Sequence, residues 1–209
     1  MVKNQIMPYG VSDKNIISAL LTTPKHKFIE NEFKEVAYVD VVLPVRDTNL
    51  FIDDNVYLMS TDVFAKLLQH SGINKGSRVL DVACNTGYST TVIANLCRDI
   101  MFIDHDKWLL NRLGKVIKES SLDIKFSYDI IKNFKDLRKI EPFDIIFING
   151  IIEEVPEYFV KNLNSNGKVM CLMRDKYSAQ AVCFTKKYNK LIKQELFNVD
   201  ADDRLRLNL

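Results

Sequence analysis

The chain has 209 residues, which suits one domain or one domain with an appendage. Its 29 basic and 27 acidic residues leave a net charge of +2, so no strong field for nucleic acid or a membrane surface is implied. Apolar residues make up 47% and mean hydropathy is −0.08, enough for a sizeable core. Cys84, Cys97, Cys171 and Cys183 stand far apart with no C-x-x-C pair, which argues against a zinc knuckle or a disulfide framework. No apolar leader precedes a small-residue cleavage site, and no segment approaches ~18 apolar residues. The expectation is a cytoplasmic protein without nucleic acid, membrane or metal, its oligomeric state open with a monomer favoured.

Residues 1–11 carry few periodic signals, though Pro8 and Gly10 mark a turn. Ser12 is placed to cap a helix with Ile16, Ile17, Leu20 and Leu21 on one face, stopped by Pro24. A looser region follows from Lys25 to Asp54, with an extended piece over Ala37 to Val42. It lacks the alternating helices of a sheet domain, so residues 1–58 read as an N-terminal lobe over a nucleotide site and 59–209 as an α/β domain. Thr61 is placed to cap a second helix with Val63, Phe64, Leu67 and Leu68 inward, closed by Gly72.

Strands are predicted at Val79 to Val82, Ile100 to Asp104, Ile124 to Tyr128 and Phe143 to Ile148. Helical patterns fall between them: Ser89 to Leu96, a stretch with Trp108, Leu109, Leu113, Val116 and Ile117, and a weak one over 131–138. Val155 to Leu163 reads as helix ended by Asn164-Ser-Asn-Gly167; Lys168 to Met173, Ala179 to Thr185 and Lys190 to Val199 read as closing strands. The pattern predicts an α/β fold, a mostly parallel sheet with an antiparallel C-terminal edge.

The chain is organised around Arg78-Val-Leu-Asp-Val-Ala-Cys-Asn-Thr-Gly-Tyr88. Strand, small-residue turn and helix place a ligand against a helix start, where unpaired N–H groups favour negative charge. Asp104 closes the next strand roughly 20 positions beyond Asp81, near the spacing at which a βαβ site sets a carboxylate on ribose hydroxyls. Only Gly87 of the turn is glycine and no P-loop lysine follows, so a pyrophosphate or triphosphate is poorly supported. An acidic strand end suits a cation. S-adenosylmethionine fits, with its ammonium by Asp81, its carboxylate by the helix start and its ribose by Asp104. An ordinary βα turn is the alternative.

The residues then carry a resemblance. Gly10-Val11, Pro24 and Phe28, Ala37-Tyr38 with Asp40, Leu43-Pro44-Val45, Arg78 to Asp81, Thr86-Gly87-Tyr88, Pro142-Phe143-Asp144 and Val155-Pro156 resemble the protein-L-isoaspartate O-methyltransferases. That family belongs to the class I S-adenosylmethionine-dependent methyltransferases, and this chain looks like a divergent bacterial branch of it. The resemblance implies a seven-stranded Rossmann-like sheet with an N-terminal lobe, S-adenosyl-L-methionine as co-substrate, and isoaspartyl residues of damaged proteins as acceptor. It carries cofactor roles onto Asp81, Gly87, Asp104 and Asp129, the last toward the adenine amino group. Ala83 and Asn85 stand where the family has glycine, and Asn149-Gly150 borders the crevice at a strand end or is simply a turn. Strand-end aspartates such as Asp104 and Asp129 can also merely cap the next helix.

One departure concerns the acceptor. After Leu43-Pro44-Val45 the family carries Gly-x-Gly-Gln-Thr-Ile-Ser-Gln-Pro; aligned without gaps, this chain places Ile52 at the serine and Asp53-Asp54 at Gln-Pro. An isoaspartyl carboxylate, with a pKa near ~4, is anionic at neutral pH and would be repelled by two carboxylates unless Arg46 or Lys75 turned inward. Three readings stay open: an isoaspartyl methyltransferase, a methyltransferase with another acceptor, and a non-catalytic module that keeps the fold. An ionised carboxylate is already a nucleophile, so no Ser/His/Asp set is required; His26, His70 and His105 read as structural or solvent-facing. Cys84 reads as a loop filler rather than a reactive thiolate.

Overall fold

The computed structural model describes residues 1–44, 57–104, 113, 124–130, 141–174, 178–188, 190–200 and 202–207. Arg46, Ile52, Asp53, Asp54 and His105 lie outside these residues, as do the helix expected around Trp108, apart from Leu113, and the one expected over 131–138.

The N-terminal part begins with a wide helical turn, Val2–Ile6, followed by α1 (Lys14–Thr22). Asp13, one residue beyond the expected Ser12, caps α1: its Oδ1 accepts from the N–H groups of Asn15 (2.8 Å) and Ile16 (3.2 Å). Two short helical turns, Lys25–Phe28 and Asn31–Val36, follow. The expected extended piece from Ala37 to Val42 is instead a series of turns and bends. Within it Asp40 reaches the start of the next helix, its Oδ1 accepting from the N–H groups of Thr61 and Asp62. A two-stranded ladder pairs β1 (Leu43–Pro44) with β2 (Tyr57–Leu58), antiparallel.

The second part opens with α2 (Thr61–Ser71), closed by Gly72 in the left-handed region, φ 72°. Its Val63, Phe64, Leu67 and Leu68 are all buried, as their spacing predicts. Then come β3 (Arg78–Val82), α3 (Tyr88–Ala94), β4 (Asp99–Asp104), β5 (Lys125–Ile130), β6 (Phe143–Ile152), α4 (Glu157–Lys161), β7 (Leu163–Arg174), β8 (Ala179–Lys187) and β9 (Lys190–Val199).

One seven-stranded sheet has the order β5-β4-β3-β6-β7-β8-β9. Pairing is parallel from β5 to β7 and antiparallel across β7/β8 and β8/β9, so β8 alone runs against the rest. Alternation splits the sheet's side chains between two cores. Val79, Ile145, Phe147 and Met170 pack with Ile16, Leu20, Phe64, Tyr88 and Val92, joining the N-terminal part to one face. Leu80, Val82, Ile146, Ile148 and Cys171 pack with Phe159 on the other.

Two irregularities depart from the sequence pattern. Asn164-Ser-Asn-Gly167, read as a helix end, is a bulge inside β7: Phe143 pairs with Leu163, but Ile145 pairs with Lys168. Asn166 takes φ 63° there. Asn149-Gly150 is not a turn after a strand but a second irregularity within β6, between the Phe147–Met170 and Ile151–Leu172 pairs.

Candidate functional site

β3 and β4 end side by side, and the loop from Ala83 to Gly87 crosses above them into α3. Its backbone explains its composition. Ala83, Asn85 and Gly87 have φ of 53°, 50° and 83°, three left-handed residues at alternate positions. An alanine held this way costs about 1–2 kcal/mol, whereas asparagine tolerates the conformation better. Gly87 has a second constraint: a Cβ there would lie 2.4 Å from Leu113 Cδ1. The loop is held by Ala83 N–H donating to Ile103 O (3.0 Å) and Gly87 N–H donating to Cys84 O (2.8 Å).

Asp81 lies beneath the loop with no solvent exposure. Ser89 Oγ (3.0 Å) and Thr90 Oγ1 (2.5 Å) donate to its Oδ2, and Asn149 Nδ2 (2.6 Å) donates to its Oδ1. Burial pushes its carboxyl up to about 6, against the pull of those three donors. The bulge in β6 aims Asn149 here, and its Nδ2 also reaches Val82 O at 2.9 Å. A cleft beside this cluster is lined by Leu58, Met59, Phe64, Asn85, Tyr88, Ser89 and Asn149. Asp81 is not itself on the lining. Its charge faces the cleft through Ser89 and Asn149, which both line the cleft and hydrogen-bond to it.

Asp104 is also fully buried, and its Oδ2 accepts from Asn85 N–H at 3.0 Å. In this structure it anchors the loop. Cys84 Sγ lies 3.9 Å from the same oxygen, and burial first, then Asp104 and Asp81, push the thiol well above its ordinary range. That supports the filler reading of Cys84. Asn85 does more than replace a glycine: its Nδ2 donates to Tyr57 O at 3.0 Å, tying the loop to β2. The structure therefore brings Asp81, Ala83, Asn85, Gly87, Asp104 and Asn149 together. Asp129 stands apart on the edge strand β5, exposed, its Oδ1 accepting from Ile130 N–H at 2.9 Å.

Several features were missed in the sequence. Ser60 follows β2 and directly precedes α2, yet its side chain makes no capping bond. Asp40 does the capping instead, its Oδ1 accepting from the N–H groups of Thr61 (2.9 Å) and Asp62 (3.2 Å). Lys75, one candidate inward cation, donates instead to Asn95 O at 2.7 Å on the surface. The C-terminal segment packs on β6 and β2: Leu207 N–H donates to Ile151 O at 2.9 Å, and Arg204 lies over the Tyr57 ring at 5.1 Å. A Cβ on Gly150 would meet Leu205 O at 2.6 Å, which is why glycine stands there. Among the described residues no group of three or more His, Cys, Asp or Glu could hold a metal ion, and no helix is long and apolar enough to cross a membrane.

A family model described as protein-L-isoaspartate(D-aspartate) O-methyltransferase matches residues 1–200. Relatives named protein-L-isoaspartate O-methyltransferase include one from Opitutus terrae, 24% identical over 90% of this chain and 78% of its own length. Another, from Geobacter metallireducens, is 26% identical over 90% and 83%. A solved structure named protein-L-isoaspartate O-methyltransferase superposes with a TM-score of 0.75 at 22% identity, covering 96% of this chain; the chain spans 64% of that protein's length. A Plasmodium falciparum structure, described as a beta-aspartate methyltransferase in complex with S-adenosyl-L-homocysteine, gives a TM-score of 0.72 at 22% identity over 93% and 92%. These two structures share the fold of this chain.

Proposed function

The chain belongs to the protein-L-isoaspartate(D-aspartate) O-methyltransferase family, and we propose that it moves a methyl group from S-adenosyl-L-methionine to the side-chain carboxylate of isoaspartyl residues in damaged proteins. The observation that carries this reading is the loop. Two glycine positions have become Ala83 and Asn85, yet the left-handed backbone is kept at both and at Gly87. A module that had abandoned its cofactor would gain by relaxing that strain.

The residues present fit the cofactor. A buried carboxylate that ionises at a cost is relieved by a nearby cation, so Asp81, through Ser89 and Asn149, is the counterpart of the ammonium. Asn85 and the start of α3 border the carboxylate end, Asp104 fixes the loop, and Asp129 is the reading for the adenine end. Bound there, the cofactor supplies a methyl group on a positively charged sulfur, open to attack by an anionic oxygen.

The acceptor carboxylate is ionised at neutral pH and needs no general base. The protein's work is to align it and exclude water. Leu58, Met59 and Phe64 form the apolar wall that does so. We assign the acceptor-facing hydroxyl to Ser60 rather than to the position of Ile52, because Asp40 relieves Ser60 of capping. The division into a lobe over residues 1–58 and an α/β domain over 59–209 belongs to this reading, the lobe supplying β1 and β2 as the acceptor's margin. So does a bacterial, cytoplasmic enzyme, supported by bacterial relatives and four free thiols that suit a reducing compartment.

The test offers labelled S-adenosyl-L-methionine with matched peptides carrying isoaspartate or aspartate. Label on the isoaspartyl peptide alone supports the proposal. Label on neither peptide but on other cell proteins would shift the acceptor.

A further inference from the structure

Lys25 has no solvent exposure, an unusual place for an ammonium. Its Nζ donates to Thr61 Oγ1 at 3.0 Å and lies 5.9 Å from the centroid of the Tyr88 ring. Thr61 is the first residue of α2, next to Ser60; Tyr88 is the first residue of α3, next to Gly87, and lines the cleft. Phe28, in the same helical turn as Lys25, meets the Tyr88 ring edge-on at 5.7 Å. The Tyr88 hydroxyl is buried, with Thr61 beside it. The charged groups acting on Lys25 are Asp40, which caps α2, and Asp62 in its first turn. Around Tyr88 the neighbouring groups are Tyr38, whose hydroxyl contacts His26 Nδ1 at 2.6 Å, and Asp40 again.

We propose that Lys25 is a positioning residue for methyl transfer: its buried ammonium fastens the N-terminal part to the starts of α2 and α3 and so fixes the β2–α2 junction, with Leu58 and Met59, beside the cleft. This deepens the isoaspartyl methyltransferase reading and rests on it. An ammonium buried in this way works against stability, so its charge serves the site rather than the fold. Burial lowers the Lys25 pKa to about 8, outweighing Asp40 and Asp62, which raise it. Lys25 is therefore mostly charged at neutral pH, and the fastening weakens as pH rises through about 8, where it loses its proton.

The experiment compares the wild type, Lys25→Met and Lys25→Arg. In the wild type, KM for an isoaspartyl peptide rises as pH passes about 8 and levels off about tenfold higher. Lys25→Met has a KM raised about tenfold at pH 7 and no alkaline rise, while Lys25→Arg, which cannot deprotonate, binds the peptide normally with a flat profile. The S-adenosyl-L-homocysteine Kd stays within about twofold for all three. An acceptor-free arm measures hydrogen exchange: the Thr61 to Phe64 amides lose about tenfold protection in Lys25→Met while its melting temperature holds or rises. The proposal is overturned if that protection is unchanged, if the wild type and Lys25→Met share one pH profile, or if Lys25→Met only lowers melting temperature. Lost protection with no peptide methylation by the wild type would instead sink the isoaspartyl reading and keep the fastening.

Discussion

Asp81→Asn separates what this carboxylate does for the fold from what it does for the ligand. Burial raises its pKa from 3.8 to about 6, so at pH 7 the folded protein holds an ion that the unfolded chain hydrates better. At about 1.4 kcal/mol per unit, that shift amounts to roughly 3 kcal/mol of destabilisation. Asparagine keeps the geometry: its Oδ1 accepts from Asn149, and its amide donates to Ser89 and Thr90, whose hydroxyls rotate to accept. The variant should therefore gain about 2–3 kcal/mol at pH 7, which for a chain of this size is about 5–10 °C in Tm. The sign with pH follows from the raised folded-state value. The wild type binds more protons folded than unfolded between pH 3.8 and about 6, so its stability falls across that window and the variant's advantage grows. Calorimetric melting of both proteins at pH 4, 5, 6 and 7 measures the gap, and S-adenosyl-L-homocysteine affinity should drop at least tenfold in the variant. A variant less stable at pH 7 that still binds normally would refute the reasoning, because the carboxylate would then be a structural acceptor only.

Further predictions concern the loop and the acceptor margin. Asn85→Gly keeps the left-handed backbone but cuts the bond to Tyr57 O. Cofactor Kd should change less than threefold while acceptor KM rises about fivefold; a tenfold gain in cofactor affinity alone would make Asn85 merely a degraded glycine. Gly87→Ala places a methyl 2.4 Å from a buried Leu113 carbon in a left-handed backbone. It should cost about 2–4 kcal/mol, read by denaturant melting, with parallel loss of cofactor binding. Ser60→Ala should raise acceptor KM or lower kcat about tenfold and leave Tm within about 1 °C, since Asp40 holds the cap.

The sheet was legible because its strands are apolar runs punctuated by turn residues, and the order of strands and helices left few topologies open. The turn itself was legible through its small residues, but the left-handed φ at Ala83 and Asn85 appears only in the folded backbone. Other features have no periodic signature. The two bulges, at Asn149-Gly150 and Asn164 to Gly167, arise from pairing across β6 and β7, which neither strand encodes alone. Ser12 and Thr61 looked like caps because each is a hydroxyl before an apolar pattern. Asp13 took the first cap because its carboxylate reaches two N–H groups, and Asp40 took the second from 21 residues away. The burial of Lys25 could not be read locally, since Lys25-His-Lys27 resembles any solvated charge run until Thr61 and Tyr88 fold around it. Aligned without gaps, the family's serine falls at Ile52, outside the described residues, and Ser60 draws attention only through the fold, where Asp40 holds the α2 cap in its place.

The central claim is that the altered loop still builds a working cofactor site, and a calorimetric titration with S-adenosyl-L-homocysteine on the wild type and on Asp104→Ala tests it most directly. Asp104 holds the loop at Asn85 N–H from a fully buried position. The account predicts micromolar binding by the wild type and at least a tenfold loss in the variant. No heat and no thermal stabilisation with the wild type would contradict it, leaving a methyltransferase fold without its cofactor.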